Sequence, residues 1–488
     1  FGTYVNVESF VASTGKGLNK EFFNFNYDIT RFYINSQLQT CVVLKCRNTV
    51  SEEVNGLMHI QYCKFWGDVV EFDITLPSSV NKEAISLEIP PLKYNKKMVF
   101  SYITDDSYAI YQYIFSLINK RYIAKRFKLP DDRILTWHLG MQGDPQIEQY
   151  VSDAYYPEKP AQCTDGAGIK KRYATTVATW PDKLKNQYIG QDFGYFLPWM
   201  SEKEFKLFFD FGFMVAYHDL IGYDTATTDT QAKFDKCVED SVALFKEYIG
   251  ITPKLMVEPN GDHKYITFSR VNDNIQVITA QGGDPSIKKV YPFSPDFTLS
   301  KNNVTIQRLF AYGDDMVYDN DNPQYAQDLL DILSGFNATE NKESIYWLIG
   351  STHRGSHWES VFIKNLHRLY GDIGLDNLWF PTLDEFFEYW YMRENTLSVK
   401  TVTETGVHYR MYVPKGANFF FRDLSVLISG VPSLEGVSVT SGDNVYGTSF
   451  AMNDGRLLVN LDFNPLLLER VNKYVESFEA DYNAEYAY

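Results

Sequence analysis

Between residues 98 and 394 the hydrophobic pattern changes period repeatedly, and this alternation constrains the fold more than any other feature of the sequence. Short apolar runs, Met98–Thr104 (MVFSYIT), Phe213–His218 (FMVAYH), Lys254–Val257 and Ser344–Gly350 (SIYWLIG), have the length and side-chain type of buried strands. Segments with helical spacing lie among them, around Tyr108–Ile118, Ala232–Tyr248 and Trp358–Tyr370. Ser201 through Glu204 reads as a capping box, and Gly212, Gly250 and Gly371 stand where helices would stop. Leu378–Phe380 then leads into a last helix near Leu383–Arg393. Strands that alternate with helices in this way predict a parallel β/α sheet or barrel.

The two flanks read differently. Thr40–Cys46, Leu57–Phe65 and Val69–Leu76 are strand candidates punctuated by Asn55-Gly56, Gly67-Asp68 and Pro77, and Pro90-Pro91 marks a linker. After Asn395 strands return at Val407–Val413, Leu424–Ile428 and Leu457–Phe463, with Asp454-Gly455 as a hairpin turn and Asn464-Pro465 opening a terminal helix. The expected organisation is therefore multidomain, α/β plus all-β. A β-sandwich-like domain spans 1–97, a distorted (β/α) barrel 98–394 with an insertion near 129–198, and a β-rich domain with a terminal helix 395–488.

A formal net charge of −16 repels phosphate backbones and no local basic patch stands out, so nucleic acid is excluded as a partner. No run of 18 apolar residues occurs, so no transmembrane helix is expected. The 35 Tyr, 35 Phe and 8 Trp permit sugar-stacking surfaces, although such rings mainly fill cores. Five cysteines without a CxxC pair form neither a disulfide framework nor a zinc ribbon. Phe1 rather than Met opens the chain, as after removal of a leader. The expected location is secreted, periplasmic or cell-surface, with or without a lipid anchor.

In a β/α barrel the C-terminal ends of the strands converge on the face that carries the chemistry. Here the strand candidates end in Asp105-Asp106, in His218-Asp219, in Glu258-Pro259-Asn260-Gly261 and, after Trp347–Thr352, in His353-Arg354. Each ending alone is an ordinary turn, and their recurrence in order is the signal. Ile103-Thr104-Asp105-Asp106-Ser107 resembles the Thr-Phe-Asp-Asp-Gly motif of the NodB-homology polysaccharide deacetylases, carbohydrate esterase family four. Gly212 to His218, Gly250 to Gly261 and Trp347 to His353 are similar to the later motifs of that family, and Leu378 to Tyr389 to its last strand and helix.

The resemblance implies Asp105 as general base, Asp106 and His218 as ligands of one divalent metal (zinc foremost, cobalt or nickel otherwise), and His353 as general acid. Where the family carries a second ligand His, four residues after the first, this sequence has Gly222, so Asp224 is the expected substitute, with His357 as a further candidate. Glu258, Asn260, Trp137, His138 and His357 are expected to contact a polysaccharide or oligosaccharide substrate. The expected reaction is removal of N- or O-acetyl groups. The rivals are a degenerate barrel that only binds glycan, and a glycoside hydrolase using Asp105 with Glu258.

Three other patterns receive structural readings. Cys163 to Gly168 has glycines but no preceding strand, so it is no phosphate loop. Asp314 to Asp321 lacks the EF-hand register and reads as a solvated loop. Glu385, Tyr389 and Arg393, four residues apart, read as the solvated polar stripe of the last helix.

Overall fold

The structure, a computed structural model, describes residues 23–34, 37–48, 54–63, 67–106, 112–119, 124–128, 134–138, 160–185, 189–192, 195–198, 202–224, 230–280, 304–307, 327, 330–331, 333–335, 347–352, 357–414 and 419–464. Its centre is a curled parallel sheet of eight strands, a half-barrel. In chain order these are β1 (Met98–Thr104), β2 (Thr176–Thr179), β3 (Met214–Tyr217), β4 (Leu255–Val257), β5 (Val277–Ala280), β6 (Val304–Gln307), β7 (Leu348–Thr352) and β8 (Leu378–Trp379). The spatial order is β6-β5-β4-β3-β2-β1-β7, with β8 also paired to β1, and every pairing is parallel.

All seven residues of β1 are buried because both faces of the sheet are covered. Its side chains divide with the period of two that a strand imposes: Met98, Phe100 and Tyr102 enter one core, Val99 and Ile103 the other. Helices α1 (Gln112–Asn119), α2 (Glu202–Asp210), α3 (Gln231–Ile249) and α4 (His357–Tyr370) supply the first core. Thr230 caps the start of α3, and Gly250, in the left-handed region at φ 76°, closes it. The second core is formed by α5 (Leu383–Asn395) and a β-sandwich. Phe386 of α5 stacks on Trp347 with ring centroids 3.8 Å apart.

The sandwich departs from the expected division of the flanks. One sheet runs Leu397–Val402, Gly406–Pro414, Gly67–Thr75, Ser438–Ser441, and the other Gly447–Asn453, Arg456–Asp462, Asp423–Ser429, Ser86–Glu88. Gly67–Thr75, which precedes the half-barrel in sequence, pairs residue for residue with Gly406–Pro414, which follows it. Gly67–Thr75 and Ser86–Glu88 are thus hydrogen-bonded into sheets whose other strands follow the half-barrel in sequence. Strand periodicity reveals that a segment is a strand and which face is apolar, but not which distant strand it joins. Phe23–Ile34, Gln37–Asn48 and Val54–Cys63 form a separate three-stranded antiparallel sheet.

Two more expectations change. The stretch read as an insertion contains β2, which lies between β1 and β3. Its four residues, Thr-Val-Ala-Thr, show no apolar run; Thr176 is buried, and its Oγ1 accepts the N–H of Leu383 at 3.0 Å. The polar stripe of the last helix is not solvated either. Tyr389 is buried and donates to Pro90 O, Arg393 donates to Ile89 O, and Glu385 binds the ammonium of Lys93 at 2.7 Å. α5 is covered on that side by the chain entering the half-barrel, which only the tertiary fold brings there. Among the described residues no helix is long and apolar enough to cross a membrane.

Candidate active site

Because β1, β2, β3 and β4 are adjacent and parallel, their C-terminal ends lie along one edge. Asp105 and Asp106 follow β1, Trp180 follows β2, His218 follows β3 and Glu258 follows β4. Asp106 turns the chain in the left-handed region, φ 77°, which Asp tolerates better than most residues and which is common where a side chain must be aimed. Asp105 is fully buried and accepts a 3.3 Å hydrogen bond from Ser351 Oγ on β7.

His218 holds the key to the electrostatics. Its Nδ1 lies 3.1 Å from the carbonyl oxygen of Val257, an acceptor only, so Nδ1 must carry a proton. Its Nε2 faces Asp106 Oδ1 at 3.2 Å and Asp105 Oδ2 at 4.0 Å. In a neutral imidazole that nitrogen is a lone pair pointing at carboxylates. A second proton on the ring, or a cation held by nitrogen and carboxylate together, would balance this arrangement. An Nδ1 fixed on a backbone carbonyl with Nε2 turned outward is also how metal-binding histidines are commonly oriented. The donors of Asp106 and His218 therefore fit a divalent ion.

Trp180, which the sequence reading passed over, donates from Nε1 to Asp106 Oδ1 at 2.9 Å. Its ring lies edge-on to His218, centroids 6.0 Å apart, and the Lys183 ammonium sits 4.4 Å over its face. Nothing in sequence marks it except a tryptophan directly after a short strand. Asp219, beside the imidazole, has its pKa raised by burial, against which Tyr265 OH and the Leu220 N–H both donate to its carboxylate.

A family model described as "Putative polysaccharide deacetylase" matches residues 71–486. The chain belongs to the polysaccharide deacetylase family. Solved structures similar to it include the peptidoglycan deacetylase PdaC from Bacillus subtilis, at 11% identity and TM-score 0.29 over 60% of this chain and 92% of that one. A probable polysaccharide deacetylase from Pseudomonas aeruginosa PAO1 gives 12%, 0.35, 63% and 95%. PuuE allantoinase gives 12%, 0.36, 62% and 93%. A search of curated proteins finds no match.

For a polysaccharide deacetylase the structure gathers Asp105, Asp106 and His218, three residues from two distant strand ends. Asp224 stands exposed in the segment after His218, and among the described residues no three His, Cys, Asp or Glu side chains form a metal-holding group. Gly222, where the family has its second His, adopts φ 69°, so a side chain there would be strained even though the space is open. Glu258 is buried and bound at 2.7 Å to Nδ1 of His263, a half-exposed imidazole the sequence reading also missed. Asn260 is exposed in the intervening turn at φ 55°. Trp137 and His138 end the strand Ile134–His138, which pairs with Ala124–Lys128 outside the parallel sheet. His357 begins α4, and His353 lies outside the described residues.

Proposed function

We propose that this family member hydrolyses acetyl groups from a polysaccharide, with Asp105 as general base and Asp106 and His218 holding one divalent ion. The observation that carries the reading is the Nε2 of His218 facing two carboxylates while its Nδ1 is committed to Val257 O. When bound, such an ion polarises the acyl carbonyl and makes an attacking water more acidic. Asp105, fully buried and steadied by Ser351, takes the proton from that water. Water adds to the acetyl carbon, the bond to the sugar nitrogen or oxygen breaks, and acetate leaves. The leaving group must gain a proton, and His353 is proposed to deliver it. His263, held by buried Glu258 after β4, is proposed to contact the substrate with Asn260. Zinc is the proposed ion. A polysaccharide substrate also favours a secreted or cell-surface location.

Acetate release from a panel of acetylated glycans, with Asp105→Asn and Asp106→Ala variants, tests the proposal. Acetate formed by the parent and lost in both variants supports it. New reducing ends without acetate would transfer the reading to glycoside hydrolysis, and glycan binding with neither product would leave a binding protein.

A further inference from the structure

At the opposite end of the parallel sheet, where β1, β2 and β3 begin, lies a cavity of about 410 Å³, within the usual range for small-molecule sites. Its wall draws on the Lys93-Tyr94 turn before β1, on Ala174 before β2 and on Gly212 before β3. The sandwich closes the other side with Asp423 and Asp462. It is therefore separated from Asp105, Asp106 and His218 by the length of the strands.

The lining carries charges of both signs. Lys93 is buried between Glu385 at 2.7 Å and Asp423 at 2.5 Å, which hold it protonated against the cost of burial. A polycation would meet Lys170, Lys171 and Arg172 on one strand of the wall, and a polyanion would meet Asp210 and Asp462. Donors and acceptors thus both line the cavity, together with the rings of Trp379, Phe380 and Phe421. Asp423 Oδ1 is buried without a hydrogen-bond partner, an acceptor that a donor on a ligand could satisfy. A ligand rich in hydroxyl groups, which donate and accept at once and carry no charge, meets all of these requirements.

We propose that this cavity is a second saccharide site, which binds an uncharged stretch of glycan remote from the reacting end. The choice of a saccharide among hydroxyl-rich ligands rests on the deacetylase reading. The cavity would anchor the polymer between the half-barrel and the sandwich, whose relative placement it would also stabilise.

Titration calorimetry on the full chain tests this, with N-acetylchitotetraose and xylotetraose as neutral probes and trigalacturonate as the charged one. In an Asp106→Ala/His218→Ala variant a neutral probe should still bind. In a Lys171→Ala/Arg172→Ala variant that site's affinity should fall at least ten-fold, while hydrolysis of a small acetyl ester stays at the parent rate. Asp423→Asn, close to isosteric, should weaken the same binding, and thermal melting of each variant separates lost binding from lost folding. Neutral-probe binding unchanged in both cavity variants would overturn the proposal. So would binding of trigalacturonate alone, or no binding of any probe to the Asp106→Ala/His218→Ala variant. Failure of the deacetylase reading has a separate signature, no acetate released by the parent, and leaves the calorimetric result standing.

Discussion

The two ends of the parallel sheet both concentrate charge, but they satisfy it in opposite ways. At the starts of the strands Lys254 lies 2.5 Å from Glu388, whose other oxygen accepts the N–H groups of Phe420 and Phe421, and Lys93 is shared by Glu385 and Asp423. There, buried cations and carboxylates answer each other, and the clusters tie α5 to the sheet and the sandwich. At the strand ends Asp105 and Asp106 face Nε2 of His218, whose Nδ1 is held by Val257 O. Ammonium–carboxylate pairs tie elements of the fold together, whereas an imidazole facing two carboxylates at strand ends is suited to chemistry.

Substitutions at the two ends should therefore fail differently. Asp105→Asn should lower kcat by about 10²–10⁴-fold, the usual share of a general base, with little change in unfolding midpoint. A large loss of stability instead would put Asp105 in the same class as the paired charges. Lys254→Met should do the reverse. It leaves Glu388 and Asp384 buried without their cation and should cost about 3–5 kcal/mol in urea unfolding.

A pH series sharpens the contrast. Burial, only partly opposed by Lys254, pushes Asp384 up to about 7, and neither of its carboxylate oxygens has a hydrogen-bond partner. Its folded pKa lies above the unfolded one, so this contribution is fully present below about pH 4 and is lost as pH rises through 7. Asp384→Asn should flatten that decline, a gain of roughly 4 kcal/mol at most near neutral pH and none in acid, read from melting curves across pH. An equal effect at all pH values would show the carboxylate ionised throughout. The smallest effect is expected at Trp180. Trp180→Phe removes the donor to Asp106 and should weaken zinc binding about ten-fold, measured by competition with a chelator, while the fold is kept.

Much of this site was legible in the sequence because strand ends announce themselves. A short apolar run followed directly by Asp-Asp or by His needs no partner to be read, and the three residues so found do meet in space. Trp180 and His263 were not legible. Trp180 acts from a strand of four residues whose threonines conceal its burial, and His263 matters only through Glu258, five residues earlier. The stripe of Glu385, Tyr389 and Arg393 misled for the same reason: helical spacing shows which residues share a face, but not whether water or protein covers it.

By itself, then, the sequence determined where strands and helices occur, that the middle of the chain is a β/α unit, and which strand ends carry Asp105, Asp106 and His218. Those features are local, fixed by side-chain periodicity and by turn residues within a few positions. Only the tertiary structure decided that Thr176–Thr179 lies between β1 and β3, that Gly67–Thr75 pairs with Gly406–Pro414, and that a cavity opens where the half-barrel meets the sandwich. These depend on which distant surfaces bury one another, a choice made by the whole core rather than by any segment of the chain.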